Sequence, residues 1–306
     1  MGRWRGSLPS SFKNQTITTT KRETKMKKTI LALLSSVLLI TVTQPAQAED
    51  QKVLAIIDTA INSDKHPSVI YEACFTYSNS TGCSNGQTFM EGKGAASAPW
   101  PKSINNATYH GDSMVKAAIV ANPNVKIVFI RFYDATSLGN SFAQADSLVR
   151  AIDWVSKNAD KYSIDAVSIS QSNIKNPALC TDKTTVNAVL SMNTKNIPTF
   201  AATGNDKKSN VVGFPACVEG AIGVGALYSL SQLEAATNRG PGLDLVAFGK
   251  ISITKVNGSQ YDLAGSSGAT AVSASSYIAK NAGKTFQEYL NALPKVVINN
   301  VSYSLN

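Results

Sequence analysis

Short apolar runs that alternate with helix-patterned segments constrain this chain more than any other feature. KVLAII (52–57), KIVFIRF (126–132), DAVSIS (165–170), IPTFAAT (197–203), AIGVGAL (221–227) and LDLVAF (243–248) read as buried strands. Between them lie GDSMVKAAIVA (111–121), SFAQADSLVRAIDWVSKN (141–158) and TTVNAVLSMNTKN (184–196), each with apolar residues at helical spacing. In the second segment Phe142, Ala145, Leu148, Val149, Ile152 and Val155 fall on one helical face. Continuous apolar strands joined by amphipathic helices predict an α/β fold, a predominantly parallel sheet with helices on both faces. A later run, ATAVSASSYIAKNAG (269–283), is so rich in small residues that it is predicted to be a tightly packed central helix. Residues 74–109 are rich in Gly, Ser, Asn and Ala, with SAPWP at 97–101, and read as a long surface loop.

The first 48 residues read as targeting. MKKTILALLSSVLLITVTQPAQA (26–48) has two lysines, an apolar run from Ile30 to Val42, and a small-x-small ending at Ala46-Gln47-Ala48. The apolar run is too short to span a bilayer, so this segment is expected to be a removable signal peptide and not an anchor. Residues 1–25 are then an upstream extension and 49–306 a single exported domain, periplasmic or extracellular. The charge follows this division. Eight of the 29 basic residues and one of the 20 acidic ones lie in 1–48, so 49–306 carries a net charge of only +2. The basicity belongs to the leader, and no nucleic-acid partner is expected. All four cysteines (Cys74, Cys83, Cys180, Cys217) lie in the exported part, and an even count in an oxidising compartment favours two disulfides. No Cys-x-x-Cys pair and only two histidines occur, so a zinc site is not expected.

Scarce histidine limits the chemistry. His66 sits in the polar turn NSDKHPSV, where a solvated structural role is expected, and His110 opens the helix-like HGDSMVKAAIV, well placed to face a cleft. Asp58 ends the first strand, either as a turn former or as a carboxylate that orients an imidazole. Asn205 ends FAATGN, either as a turn residue or as an amide that donates to a developing oxyanion. In DLAGSSGATAV (262–272), Ser266 and Ser267 precede a helical run, and either a nucleophile or a plain turn fits the local sequence.

Taken in the order Asp58, His110, Asn205, Ser267, these segments resemble the subtilisin family of serine proteases, the subtilases. The resemblance rests on IIDTAINSDKHP, HGDSMV, AATGN and AGSSGATA, extends to VSIS (167–170) and GFPACVEGAIGVGAL (213–227), and covers about residues 52–282. It implies Ser267 as nucleophile, His110 as general base and then acid, and Asp58 as the orienting carboxylate. It further implies an oxyanion hole from Asn205 and the Ser267 N–H, and a substrate-lining segment at Ser170, Gln171 and Ser172. Ser266 matches the threonine that usually precedes the nucleophile, so Ser266→Ala is expected to leave most activity. The order separates the chain from α/β-hydrolases, which run Ser…Asp…His around a G-x-S-x-G elbow.

Several positions depart from the family pattern. Ala60 stands where glycine is usual, Ala271 and Phe248 where proline is usual, and Ser170-Gln171-Ser172 where a Ser-Leu-Gly type is common. None removes a proton-transfer group. The resemblance therefore implies a monomeric serine endopeptidase acting on proteins or peptides through an acyl-enzyme. A weakly active or inactive binding protein on this scaffold, and an esterase, are the alternatives. No cofactor is required for such chemistry. Many subtilases hold structural calcium, but no acidic loop here is distinctive enough to assign ligands, and no metal-binding residue is named. Cys74 and Cys83 flank a short polar loop and are expected to pair locally, leaving Cys180 to pair with Cys217 across the segment carrying Asn205. Only Glu49, Asp50 and Gln51 separate the expected cleavage site from the first strand, so no prodomain is expected, and the exported chain is expected to fold unaided or else with a separate partner.

Overall fold

The structure, a computed structural model, describes residues 51–77, 81–97, 110–135, 141–142, 145–254, 259–281 and 283–306. The leader expected in 1–48 lies outside the described residues. The first half of the fold runs β1 (Val53–Asp58), β2 (Val69–Phe75), β3 (Phe89–Glu91), α1 (His110–Ala121), β4 (Lys126–Arg131), β5 (Asp134–Ala135), β6 (Ser141–Phe142), α2 (Ala145–Asn158) and β7 (Ile164–Ile169). The second half runs α3 (Lys183–Thr194), β8 (Thr199–Ala202), β9 (Ile222–Ser229), β10 (Gln232–Leu233), β11 (Leu245–Phe248), β12 (Ile251–Thr254) and β13 (Gln260–Leu263). It closes with α4 (Ser266–Lys280), α5 (Phe286–Ala292), β14 (Lys295–Ile298) and β15 (Val301–Leu305).

One sheet of 11 strands organises the molecule, in the order β14-β15-β11-β9-β8-β7-β1-β4-β2-β3, with β10 paired to β9. From β15 across to β2 every pairing is parallel, and antiparallel pairs occur only where β14, β3 and β10 attach. The α/β reading of the sequence is borne out, and β1 shows why. Successive strand residues point to opposite faces. Leu54 and Ile56 enter a core with Met114 and Val115 of α1, Ala271 and Ala274 of α4 and Tyr289 of α5. Val53, Ala55 and Ile57 enter a second core with Leu148, Ile152 and Val155 of α2 and Val189 and Met192 of α3. Each buried Val, Leu, Ile or Met side chain here contributes about 1.5–3 kcal/mol, so helices are required on both faces and β1 stays apolar until Asp58.

The small-residue run forms α4, which packs against α1 and across β7, β8 and β9. Ala269, Ala271, Ser273, Ala274 and Ser275 are all fully buried, and Ser275 Oγ donates to the Ala118 carbonyl of α1 at 2.7 Å. Larger side chains would hold the two helices too far apart for that bond.

Several expectations need correction. The surface loop expected at 74–109 holds only in part among the described residues: 84–88 is exposed turn and bend, but other parts are drawn into the sheet and the core. Cys74 ends the β2 pairing with β4, Phe89–Glu91 forms β3 on the other side of β2, and Cys83, Ala95 and Ala96 are fully buried. Polar bonds that composition does not reveal hold this region inward. Buried Glu72 accepts from Ala96 N–H and Ser63 Oγ, and fully buried Arg131 donates to the carbonyls of Ser97 and Gly82. The helix expected from residue 141 begins at Ala145, because Ser141–Phe142 pairs with Asp134–Ala135 as a short hairpin. The β14–β15 hairpin and the β12–β13 pair were not anticipated.

Candidate active site

Strands β8, β7 and β1 are neighbours in the sheet, and the chain leaves all three on the same edge because they run parallel. Asp58 is the last residue of β1, Ser170 follows β7, and Thr203 follows β8. Helices α1 and α4 start at this edge with His110 and Ser266. A cleft of about 310 Å³ is lined by His110, Ser170, Gln171, Ser172, Asn205, Ser266 and Ser267, together with Thr59, Tyr133, Ala202, Gly204 and Asp206. The structure thus gathers every residue singled out for chemistry, with Asp58 buried behind His110.

Asp58 is fully buried, and its Oδ1 accepts from Thr59 N–H at 2.7 Å and from His110 Nδ1 at 2.8 Å. A carboxylate only accepts, so Nδ1 carries the proton and Nε2 of neutral His110 is a free base. Burial pulls the His110 pKa down, but the charge of Asp58 and the hydrogen bond to it outweigh burial and raise the pKa above the usual 6.5. The imidazole keeps 26% of its surface exposed, toward the cleft side of the pair. The start of α1 is fastened to the Asp58 segment at three further points. Gly111 N–H donates to Thr59 Oγ1 at 2.9 Å, Asn62 N–H donates to Asp112 Oδ1 at 2.8 Å, and His66 Nε2 lies 2.6 Å from the same Asp112 oxygen. His66 is therefore not a solvated turn residue: it is 3% exposed and braces the helix that carries His110. Proline follows it in sequence, but its hydrogen-bond partner Asp112 lies 46 residues downstream in α1.

Ser267 occupies the second position of α4, where a backbone N–H has no helical acceptor and the helix dipole favours negative charge. Gly265, at φ +96°, makes the turn into the helix, a conformation that glycine adopts without strain. Ser267 Oγ donates to the Ser170 carbonyl at 3.1 Å, and Ser170 Oγ donates back to the Ser267 carbonyl at 2.9 Å. In this state Ser267 is tied to Ser170, the residue after β7, and makes no hydrogen bond to His110. Ser172 also spends its hydroxyl internally, on the Thr203 carbonyl at 3.1 Å.

Asn205 is exposed, and its Oδ1 accepts from Ser266 N–H at 3.0 Å and Ser266 Oγ at 3.1 Å. The backbone N–H can only donate, so it fixes which end of the amide is oxygen and leaves Nδ2 free to donate into the cleft. Ser266, buried, also accepts from Gly204 N–H at 3.3 Å. It is not a spectator beside Ser267, and its anchoring role was not legible in a Gly-Ser-Ser-Gly turn. Asp206 and Asn238, which flank Asn205 in space, were likewise missed, because in sequence both read as turn residues.

Both disulfides pair as expected, Cys74 with Cys83 and Cys180 with Cys217, and the second spans the segment that contains Asn205. Among the described residues no three His, Cys, Asp or Glu side chains converge as metal ligands, so no calcium ligand set is assigned. No helix among them is long and apolar enough to cross a membrane.

Comparison with known proteins follows the same lines. The sequence matches the family model described as the subtilase family over residues 49–291. Among solved structures it is similar to proteases from Pseudoalteromonas arctica, with 14% identity, 83% of this chain and 87% of the other covered, and a TM-score of 0.65. It is similar to a lanthipeptide protease at 16% identity, with 74% and 72% covered and a TM-score of 0.54. It is also similar to the prenylagaramide maturation protease PagA at 19% identity, with 73% of each chain covered and a TM-score of 0.50. No match was found among curated proteins. At these identities the structural likeness speaks for the fold.

Proposed function

The chain belongs to the subtilase family of serine proteases, and from that premise we propose that it is an exported endopeptidase with Ser267 as its nucleophile. The observation that carries the proposal is the buried Asp58 bonded to His110 at 2.8 Å, at the mouth of a cleft that also holds Ser267 and Asn205. Ser267 Oγ turns from the Ser170 carbonyl toward His110, gives its proton to Nε2, and attacks the substrate carbonyl carbon. Hydrogen bonds of this kind are often loose before substrate binds. As positive charge forms on the imidazole, the Asp58 carboxylate stabilises it. The tetrahedral oxyanion takes hydrogen bonds from Asn205 Nδ2 and the Ser267 N–H, both preorganised by the start of α4. Collapse passes the His110 proton to the leaving amine, and water, activated by the same imidazole, releases the acyl group from Ser267. Export accords with two disulfides in a chain whose cysteines are all paired among the described residues.

The test is fluorophosphonate labelling together with peptide-pool cleavage by residues 49–306. Ser267→Ala is expected to abolish labelling and to cut hydrolysis by on the order of a millionfold. Asn205→Ala is expected to lower turnover roughly a hundred- to a thousandfold. Covalent label recovered on Ser266, or cleavage that survives Ser267→Ala, would overturn the proposal.

A further inference from the structure

Asn205 reaches the cleft from a segment, 204–210, that has no regular secondary structure. Beside Ser266, which holds the Asn205 amide oxygen, one side chain from elsewhere in the chain bonds to the residues on both sides of Asn205. Asn238 is fully buried. Its Nδ2 donates to the Thr203 carbonyl at 3.0 Å and to Asp206 Oδ2 at 2.9 Å. Its Oδ1 accepts from Asp206 N–H at 2.9 Å and from Lys208 N–H at 3.1 Å. The Asn238 backbone N–H donates to the Gly204 carbonyl at 2.9 Å. A primary amide has two donor hydrogens and two acceptor lone pairs, and here all of them are spent on residues to either side of Asn205. Asn238 is moored in turn by its neighbour, since Thr237 Oγ1 accepts from Ala226 N–H and donates to the Ala226 carbonyl in β9.

We propose that Asn238 is a positioning residue for the reaction, holding the 203–208 loop so that the Asn205 amide donates to the oxyanion. The inference rests on the proposed role of Asn205. The chemistry of the site admits no simple replacement. Aspartate at 238 would set a second carboxylate against Asp206 and offer no donor to the Thr203 carbonyl. Alanine would leave two backbone N–H groups of the loop without a partner. Gly204 sits at φ +105°, and a Cβ there would collide with Asn238 Nδ2, so only glycine leaves room for the two segments to approach this closely. A shift of Asn238 is passed directly to the residue before Asn205.

A structural prop and a positioning residue differ in how their loss combines with loss of Asn205. The fluorophosphonate reaction provides kinact and KI without knowledge of the natural substrate. Asn238→Ala is expected to lower kinact about 30- to 100-fold with KI changed less than about threefold, because a donor misplaced by about 1 Å loses transition-state and not ground-state binding. In an Asn205→Ala background the same substitution is expected to cost less than about threefold, since the group it positions is already gone. An equal loss in both backgrounds would overturn the inference while leaving the oxyanion assignment intact. An Asn205→Ala enzyme with undiminished kinact would instead overturn that assignment, and the inference with it. If the alanine variant does not fold, the nearly isosteric Asn238→Asp, checked by near-UV circular dichroism, enters the same cycle with the same two readings.

Discussion

Replacing Asp58 by asparagine removes a charge at nearly constant shape, and sets an amide NH2 where the buried Oδ2 makes no hydrogen bond among the described residues. Thr59 N–H donates to Oδ1 at 2.7 Å, so the amide oxygen must stay there, where it still accepts from His110 Nδ1. The opposite orientation would orphan the buried Thr59 N–H at a cost of about 1–3 kcal/mol. The pinned orientation preserves the correct imidazole tautomer and isolates the electrostatic part of the pair. A hydrogen bond to a charged partner is worth about 1.5–3 kcal/mol, and each 1.36 kcal/mol is tenfold in rate. Asp58→Asn is therefore expected to slow fluorophosphonate labelling about a hundredfold. Asp58→Ala, which loses orientation as well, is expected to slow it by on the order of ten-thousandfold. The pH profile provides a second measure. His110 acts as a base only when neutral, and its pKa is raised, so the wild-type rate falls with acidification while the pH is still above the usual 6.5. In Asp58→Asn the opposing influence, burial, acts without the carboxylate charge, so the acid limb moves to lower pH. Labelling rates measured from about pH 5 to about pH 9 locate both limbs. An acid limb that does not move would refute Asp58 as the source of the raised pKa. An asparagine variant as slow as the alanine one would refute the pinning by Thr59.

Ser266→Ala removes the hydroxyl that holds Asn205 Oδ1 and accepts from Gly204, so kinact is expected to fall about tenfold, the worth of one net hydrogen bond of about 1.4 kcal/mol. Labelling at the wild-type rate would restore the simpler expectation from the sequence. Gly111→Ala places a Cβ 2.6 Å from the Phe129 ring and 2.9 Å from the Ala60 carbonyl. Such overpacking is expected to cost about 1–3 kcal/mol and, at about 2–4 °C per kcal/mol, to lower Tm measurably in a thermal melt. An unchanged Tm would count against the tight seat of α1. Breaking the Cys180–Cys217 bridge, which closes a separation of 37 residues, is expected to cost about 4 kcal/mol, against about 2.5 for the shorter Cys74–Cys83 loop. Denaturant midpoints of the two double-alanine variants test that ranking.

What the sequence determined by itself was periodic or ordered along the chain. The unbroken apolar run within Val53–Asp58 assigned β1 to a sheet buried on both faces, and the small residues of 269–283 assigned α4 to the centre, because such patterns are local properties of the backbone. Asp58, His110, Asn205 and Ser267 were legible as candidates because each lies near a strand end or a helix start, where parallel sheets expose polar groups, and their roles only through the order in which they resemble the subtilases. Tertiary structure alone decided the partners. His66 reads as a wet turn residue until Asp112 comes to it, and Asn238 reads as a turn asparagine until four bonds from the 203–208 loop surround it. Ser266 and Ser267 are chemically alike and adjacent, yet one faces Asn205 and the other the Ser170 carbonyl. Local sequence records what a residue can donate or accept. Which group meets it is settled only when segments distant in sequence are packed together and most buried polar atoms must find a partner.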